Sequence, residues 1–228
     1  GIKIFDANGV KISRNIELKI EKVLKSNLNL VETASLGKAK AFHESTARYI
    51  EFCKSTVPAN ISFNNLRIVI DCANGACYKV SPEVFKELGA EVIPFGVEPD
   101  GFNINHECGS NHPELAREMV LKHRADYGVT LDGDGDRVTL IDKEGNILDG
   151  DDLLYILAFA NPNRTGSWAG VVGTLMSNFG LEKAIQQLGY KFLRADIGDK
   201  HVSKMLTEKG WMLGGESSGH IICRDLVS

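Results

Sequence analysis

The sequence lacks the features that mark membrane and secreted proteins. None of its apolar runs approaches the roughly 20 residues that a membrane-spanning helix needs, and no signal-peptide pattern opens the printed chain. The five cysteines are scattered, and no two form a Cys-x-x-Cys pair, which argues against the common zinc and thiol-redox motifs. We therefore expect a cytoplasmic protein with reduced thiols and no membrane partner.

The sequence also lacks an excess of positive charge. The formal net charge is −4, so we do not expect a broad nucleic-acid-binding surface. Any phosphate ligand must therefore be met by a local cluster of lysine and arginine side chains. Hydrophobic residues make up 43% and charged residues 25% of the 228 residues. These values are typical of a globular protein and exclude a mainly disordered chain.

Strand-like and helix-like segments alternate along most of the chain. The predicted strands lie near residues 66–70, 91–95, 126–131, 138–141, 170–173, 191–194 and 211–213. The predicted helices lie near residues 16–24, 39–53, 76–88, 113–122, 153–160, 178–188 and 199–209. Asp151 or Asp152 is the expected N-cap of the helix that begins near Leu153. The alternation indicates an α/β fold with parallel strand pairs.

Residues 132–137 read Asp-Gly-Asp-Gly-Asp-Arg and are the most informative stretch of the chain. Three carboxylates at alternating positions repel one another unless a cation lies among them. Oxygen donors favour Mg²⁺ or Ca²⁺ over Zn²⁺, and the two glycines let the loop fold tightly around an ion. The predicted metal ligands are Asp132, Asp134 and Asp136. Because predicted strands flank the loop, we expect the site at a strand end, where α/β proteins commonly place their chemistry.

A calcium-binding helix-loop-helix is the rival interpretation of this loop. Its first, third and fifth positions fit, but the sixth requires glycine and holds Arg137. The twelfth requires glutamate and holds Lys143, and the flanking segments favour strands over helices. An acidic, solvated turn that binds no metal is the other alternative. The spacing favours a metal site over both.

Residues 214–220 read Gly-Gly-Glu-Ser-Ser-Gly-His and form a second candidate site. The glycines let the backbone approach a ligand closely. Glu216, Ser217 and Ser218 offer hydrogen-bond donors and acceptors at short range, a mixture that suits a polyhydroxylated ring. His220 is a candidate for moving a proton, a role that histidine side chains commonly take. Taken alone, the loop is equally well explained as a plain turn whose histidine is paired within the structure.

Both loops, in this order and with this spacing, resemble those of the α-D-phosphohexomutase superfamily. In that superfamily the acidic loop binds Mg²⁺, and the Gly-Glu-x-Ser-Gly-His loop holds sugar hydroxyls. The segments 71–76, 99–110 and 173–178 narrow the resemblance to the branch that acts on glucosamine phosphates. The resemblance implies consecutive three-layer α/β domains with mixed sheets. Residues 1–57 would be the C-terminal part of domain 1, residues 58–149 domain 2 with the metal loop, and residues 150–228 domain 3 with the sugar-binding loop.

The resemblance also implies a reaction. The full protein would interconvert glucosamine 6-phosphate and glucosamine 1-phosphate through a phosphoserine and a 1,6-bisphosphate of glucosamine or glucose, feeding UDP-N-acetylglucosamine and cell-wall synthesis. Its cofactor would be Mg²⁺, and a homodimer is one expected state. The implied catalytic residues are Lys3, Arg137 and His220, and the implied substrate-binding residues are Lys200, Glu216, Ser217 and Ser218. Lysine at position 200 replaces the usual arginine of this branch and loses the bidentate geometry toward phosphate.

In the superfamily the active-site serine would precede Gly1, and a fourth domain would follow Ser228. We therefore expect an internal fragment of a longer bacterial protein, without mutase activity by itself. Two alternatives remain open. The full protein could be a phosphomannomutase or phosphoglucomutase. Ser217 is the residue that we expect to determine any preference for hexosamine. The chain could also be a metal- and sugar-phosphate-binding module without turnover.

Overall fold

The computed structural model describes residues 4–7, 11–27, 30–38, 40–42, 44–161 and 163–226. They form two compact units, with the division after residue 43. The first unit contains helix α1 (Arg14–Leu24), a short 3-10 helix (Thr33–Ser35) and an antiparallel bridge between Phe5 and Lys11. The described residues of this unit therefore contain the predicted helix near 16–24 and form little other regular structure.

The second unit contains two mixed sheets that follow one another along the chain. The first sheet has the strand order β2-β1-β3-β4-β5. Its strands are β1 (Arg67–Asp71), β2 (Glu91–Phe95), β3 (Tyr127–Leu131), β4 (Val138–Asp142) and β5 (Ile147–Leu148). The first three run parallel to one another, whereas β4 and β5 pair antiparallel. The antiparallel return is expected, because the loop 132–137 is too short for the crossover that a parallel connection requires.

Helices α3 (Val80–Glu87) and α4 (Glu114–His123) pack on the two faces of the first sheet. Helix α2 (Ser45–Ser55) packs against α3. Successive side chains of β1 point to opposite faces. Ile68 and Ile70 pack in a cluster with Phe85 of α3, whereas Val69 packs with Val120 of α4. This arrangement confirms the predicted three-layer α/β fold.

The second sheet repeats this three-layer plan, with the strand order β7-β6-β8-β9. Its elements are α5 (Gly150–Ala160), β6 (Gly170–Thr174), α6 (Phe179–Gln187), β7 (Lys191–Ala195), α7 (Asp199–Lys209), β8 (Leu213–Gly215) and β9 (Ile221–Cys223). Strand β9 is antiparallel and the other three are parallel. Val171 packs with Leu154 of α5 and Ile185 of α6, while Val172 packs with Leu206 of α7. The two neighbouring strand residues thus face opposite helical layers.

Helix α5 begins earlier than the sequence predicts. Its N-cap is Asp149, whose side chain accepts hydrogen bonds from the backbone N–H groups of Asp151 and Asp152. The Asp152 side chain accepts in return from the Asp149 N–H, which completes a capping box. The expectation that Asp151 or Asp152 is the N-cap is therefore wrong. Gly150 occupies the first helical position. Because glycine is a poor helix former, the sequence pattern does not predict that the helix begins there.

Three other boundaries also differ from the predictions. Helix α2 begins at Ser45 instead of near residue 39, and α3 begins at Val80 after a run of turns. Strand β8 begins at Leu213 instead of Trp211 and includes Gly214 and Gly215, the first two residues of the second candidate site. The domain boundaries after residues 57 and 149 stay predictions. Within the described residues, no helix combines the length and the apolar character needed to cross a bilayer.

Candidate active site

The acidic loop connects the carboxyl end of β3 to β4. Asp132 follows β3 directly and is 1% exposed, Asp136 is half-buried and Asp134 is exposed. One carboxylate oxygen from each of these three residues lies within 4.8 Å of the other two. Among the described residues, no other group of three or more histidine, cysteine or acidic side chains is arranged closely enough to hold a metal ion. The loop therefore has the geometry that its spacing predicts.

The backbone of the acidic loop folds around the Asp132 carboxylate. Asp132 Oδ1 accepts hydrogen bonds from the backbone N–H groups of Asp136 and Arg137 at 3.1 Å each. Asp132 Oδ2 accepts a hydrogen bond from the Arg137 side chain through Nε at 2.8 Å. Arg137 Nε also lies 3.8 Å from Asp136 Oδ1. The guanidinium thus offsets part of the charge of the three carboxylates. The remaining negative charge and the all-oxygen donor set fit a hard cation such as Mg²⁺.

Gly135 lets the acidic loop turn against a neighbouring thiol. Its φ of +71° lies in the left-handed region, and a Cβ at this position would overlap Cys77 Sγ. Burial raises the pKa of the Cys77 thiol, and the charges of Asp132 and Asp134 add to the rise. All five cysteines are free. Burial also raises the pKa of Cys72 to about 12 and that of Cys223 to about 11, so neither thiol ionises readily near neutral pH.

The second loop, residues 216–220, connects β8 to β9. It is closed by hydrogen bonds of 3.0 Å from the Glu216 N–H to the His220 carbonyl and from the Gly219 N–H to the Glu216 carbonyl. Glu216 Oε1 accepts the Gly198 N–H at 2.9 Å. Gly198 precedes helix α7 as its N-cap residue. The Glu216 carboxylate therefore lies at the N-terminal end of α7, whose first turn contains Lys200.

The acidic loop and the second loop meet, although they belong to different sheets. The Val138 N–H donates to the Gly219 carbonyl at 3.1 Å. His220 Nδ1 lies 3.8 Å from Asp136 Oδ2, and the His220 side chain is 19% exposed. The Gly150 N–H donates to the Ser217 carbonyl at 3.1 Å. The two candidate sites therefore lie against each other at a junction, which consists of the Val138–Gly219, Gly150–Ser217 and Asp136–His220 contacts.

Two glycines make this junction possible. A Cβ on Gly219 would overlap the Val138 carbonyl, and Gly219 has a φ of +91°. A Cβ on Gly150 would overlap the Glu216 carbonyl and approach the Gly219 nitrogen to 2.7 Å. The second loop thus packs backbone to backbone on β4 and on the start of α5.

We expect Gly219→Ala to lower the free energy of unfolding by about 3 kcal/mol, because it combines backbone strain with a backbone clash. Gly189→Ala is the matched control. Gly189 has a φ of +90°, and a Cβ added there would have no atom within 4 Å. The control should cost only about 1 kcal/mol, the strain contribution. Urea unfolding of both variants measures the difference. Equal losses in the two variants would show that the contact with Val138 does not matter.

The structure brings most of the predicted site residues together. The acidic triad, Arg137 and His220 lie at the junction, and Glu216 lies beside the N-terminus of α7. Ser217 contributes its carbonyl to the junction, Ser218 is exposed, and Lys200 is exposed in the first turn of α7. Lys3 lies outside the described residues.

Several contributors to the site were missed from the sequence. Val138, Gly150 and Gly198 take part through backbone groups, which leave no side-chain signal. Only the glycines at 150 and 198 could have been noticed, as positions where two backbones approach closely.

These features define a three-layer α/β protein in which an acidic loop with three converging carboxylates lies beside a glycine- and serine-rich loop. Two family models match the chain and together cover most of it. One describes α/β/α domain II of phosphoglucomutase/phosphomannomutase over residues 47–145, and the other describes α/β/α domain III over residues 149–228. The chain belongs to the phosphoglucomutase/phosphomannomutase family.

Within this family the chain is similar to phosphoglucosamine mutases. It is 55% identical over 225 residues to the phosphoglucosamine mutase of Legionella pneumophila, a match that covers 99% of this chain and 50% of that protein. The corresponding protein of Thioalkalivibrio sulfidiphilus is 52% identical over 228 residues, with 100% of this chain and 51% of that protein covered. The chain spans about half the length of the curated relatives it matches.

A solved structure shares the same fold. The Aspergillus fumigatus N-acetylphosphoglucosamine mutase, in complex with GlcNAc-6P and magnesium, superposes with a TM-score of 0.52 at 24% identity. That match covers 76% of this chain and 39% of the fungal chain. At this identity the likeness concerns the fold alone.

Proposed function

We propose that this chain carries the metal-binding and sugar-binding domains of a phosphoglucosamine mutase, which interconverts glucosamine 6-phosphate and glucosamine 1-phosphate. The observation that carries the proposal is the junction of the two loops. A site for a divalent cation and a site for sugar hydroxyls lie side by side, as a phosphoryl transfer to a sugar oxygen requires. The identity of 50–55% to proteins of that name supports the choice among sugar phosphates.

Asp132, Asp134 and Asp136 are the proposed Mg²⁺ ligands. Their oxygen donors converge within 4.8 Å, and the fungal enzyme of the same fold was crystallised with magnesium. When bound, Mg²⁺ supplies charge neutralisation and Lewis-acid polarisation at the phosphoryl oxygens. Arg137 is held in place by Asp132 at 2.8 Å. We propose that its fixed positive charge helps to orient the transferring phosphoryl group.

The residues of the second loop are proposed to hold the sugar. Glu216 is kept in place through one oxygen by the Gly198 N–H, and its carboxylate can accept hydrogen bonds from sugar hydroxyls. Ser217 and Ser218 provide further donors and acceptors, with Ser217 as the proposed position for the hexosamine preference. Lys200 is a proposed phosphate contact, because it stands in the first turn of α7 near Glu216.

His220 is the proposed proton carrier of the site. It lies beside Asp136 at 3.8 Å, so a proton or a positive charge on its imidazole would be held close to the reacting phosphoryl group. Lys3 is a second proposed catalytic residue, on the strength of the family resemblance.

Other parts of the proposal concern the full protein. A phosphoserine donor, a 1,6-bisphosphate of glucosamine or glucose as intermediate, and a place in UDP-N-acetylglucosamine synthesis are proposed with the reaction. A cytoplasmic location in a bacterium is proposed from the bacterial origin of the relatives. The homodimer stays a prediction.

A substrate comparison with the full-length protein tests the proposed function. We expect kcat/KM for glucosamine 1-phosphate to exceed that for glucose 1-phosphate and mannose 1-phosphate by at least about tenfold, a factor that one differential polar contact can supply. A preference for mannose or glucose phosphates would assign the protein to the alternative branch. No turnover of any of the three would support a binding module instead.

We expect Glu216→Ala in the full-length protein to raise KM at least about tenfold and to lower kcat, since charged hydrogen bonds contribute about 1.5–3 kcal/mol. Steady-state kinetics measures both constants. Glu208→Ala is the matched control, because Glu208 is an exposed glutamate of α7 away from the second loop. Unchanged kinetics in Glu216→Ala would remove Glu216 from the proposed sugar site.

A further inference from the structure

Gly133 lies between the proposed ligands Asp132 and Asp134, and other loops hold the two peptides that flank it. The Gly133 N–H donates to Asn105 Oδ1 at 2.8 Å, across 28 residues of sequence. The Gly133 carbonyl accepts the Ala76 N–H, also at 2.8 Å. The N–H lies in the Asp132–Gly133 peptide and the carbonyl in the Gly133–Asp134 peptide, so neither of these two peptides can rotate without losing a hydrogen bond. The two flanking carboxylates share that backbone, so their directions depend on it.

Close packing strengthens this hold on Gly133, which is itself buried. A Cβ on Gly133 would lie 2.6 Å from Ile104 Cδ1 and 2.7 Å from Asn105 Nδ2. A Cβ on Gly75 would overlap the Gly133 carbonyl. Gly133 is therefore enclosed between the segment after β1 and the loop that carries Asn105. Without the Asn105 amide, the buried Gly133 N–H would lose its acceptor.

The loop that carries Asn105 is also held by contacts that do not involve Gly133. The Asn105 N–H donates to the Ala73 carbonyl at 2.9 Å, and Asn105 has a φ of +58°, a conformation that asparagine tolerates better than most residues. Asp71 is fully buried and accepts the N–H groups of Ala73 at 2.9 Å and Gly109 at 2.6 Å. These hydrogen bonds fix the backbone that carries Asn105, and so they restrict the position of its side-chain oxygen.

We infer that Asn105 is a positioning residue for the metal site, and this inference rests on the proposed Mg²⁺ site. Its side-chain oxygen orients the Asp132–Gly133 peptide and so helps to direct the Asp132 and Asp134 carboxylates toward one ion. It acts through the backbone and needs no contact with substrate. Partners that orient the ligands of a metal commonly change its affinity by about 10–100-fold when they are removed.

Calorimetric titration of the 228-residue chain with Mg²⁺ tests the inference through Asn105→Gly. Glycine adopts positive φ freely and Asn105 is exposed, so the variant should fold and lose only the acceptor. We expect about tenfold weaker Mg²⁺ binding. Asn105→Asp keeps an oxygen acceptor at the same place and should bind Mg²⁺ at least as tightly as the unmodified chain.

Asn74→Gly is the matched control. Asn74 lies in the segment after β1 and also has a positive φ, of +49°. Its Oδ1 accepts the Glu98 N–H at 3.0 Å and its Nδ2 lies 3.9 Å from Cys108 Sγ, so its side-chain hydrogen bonds go to segments other than the acidic loop. This variant should keep the affinity of the unmodified chain. Amide hydrogen exchange adds a direct readout, because Gly133 should lose protection in Asn105→Gly and keep it in Asn74→Gly.

The outcomes separate the inference from the proposed function. If the unmodified chain and Asn105→Gly bind Mg²⁺ equally well, the positioning role is refuted while the metal site stands. Equal losses of affinity in Asn105→Gly and Asn74→Gly would refute it too, because they would reveal a general effect on folding. If the unmodified chain does not bind Mg²⁺, the proposed metal site and the inference both fail.

Discussion

Asp134→Ala should reduce Mg²⁺ binding by the 228-residue chain at least about a hundredfold, because it removes a proposed ligand and not merely a partner of one. Asp134 is the best of the three positions for this test, since it is exposed. Asp132 accepts hydrogen bonds from two backbone N–H groups and from Arg137. Its replacement would disturb the loop itself. Calorimetric titration with Mg²⁺ measures the loss.

The control for Asp134→Ala is Glu144→Ala, which removes an exposed carboxylate from the turn after β4. It should leave Mg²⁺ binding unchanged, whereas a purely electrostatic attraction of cations would weaken in both variants. Mg²⁺ affinity that survives in Asp134→Ala would contradict the assignment of the triad as ligands.

His220→Ala in the full-length protein should lower kcat by about a hundredfold and leave KM within a few-fold of its normal value. The reason is that a proton or charge on the imidazole is needed mainly in the transition state. His220 lies at the junction of the loops, 3.8 Å from Asp136, where the transferring group is proposed to lie. Steady-state kinetics with glucosamine 1-phosphate measures the two constants.

Thermal unfolding of the same variant distinguishes catalysis from packing. If His220 only packs against the loop, kcat stays within a few-fold of normal and the melting temperature falls instead. His220→Gln gives a second comparison, because it keeps a hydrogen-bonding side chain that does not carry a proton at neutral pH. His123→Ala, which removes a half-buried histidine from the last turn of α4, should leave kcat unchanged.

The convergence of the three carboxylates in the acidic loop could be predicted because its signal is local. The alternation of aspartate and glycine in residues 132–137 by itself predicts a tight turn with carboxylates close together. The flanking strands can be predicted from their short, mainly apolar sequences. The alternation of strands and helices likewise predicts the layers, since β1 carries Ile68 and Val69 on opposite faces. The parallel order of β1, β2 and β3 follows from the helices between them.

The contacts that assemble the site could not be predicted, because they join backbone groups distant in sequence. The bonds from Gly150 to Ser217 and from Gly198 to Glu216 depend on how helices α5 and α7 pack beside β8, and the bond from Val138 to Gly219 depends on how the two sheets meet. The bond from Gly133 to Asn105 depends on the course of an irregular loop. At Gly150, local propensity also opposes the structure, because the capping box at Asp149 starts a helix on a glycine.

The most direct test of the proposed metal and sugar site is an NMR titration of the ¹⁵N-labelled 228-residue chain with glucosamine 6-phosphate in the presence of Mg²⁺. Mg²⁺ alone should shift the amides of residues 132–137. The sugar phosphate should then shift those of residues 216–220 and 198–200, and the amide of Val138 should respond with them through its bond to Gly219. Shifts confined to other parts of the chain, or none in the second loop at saturating Mg²⁺, would contradict a shared metal and sugar site.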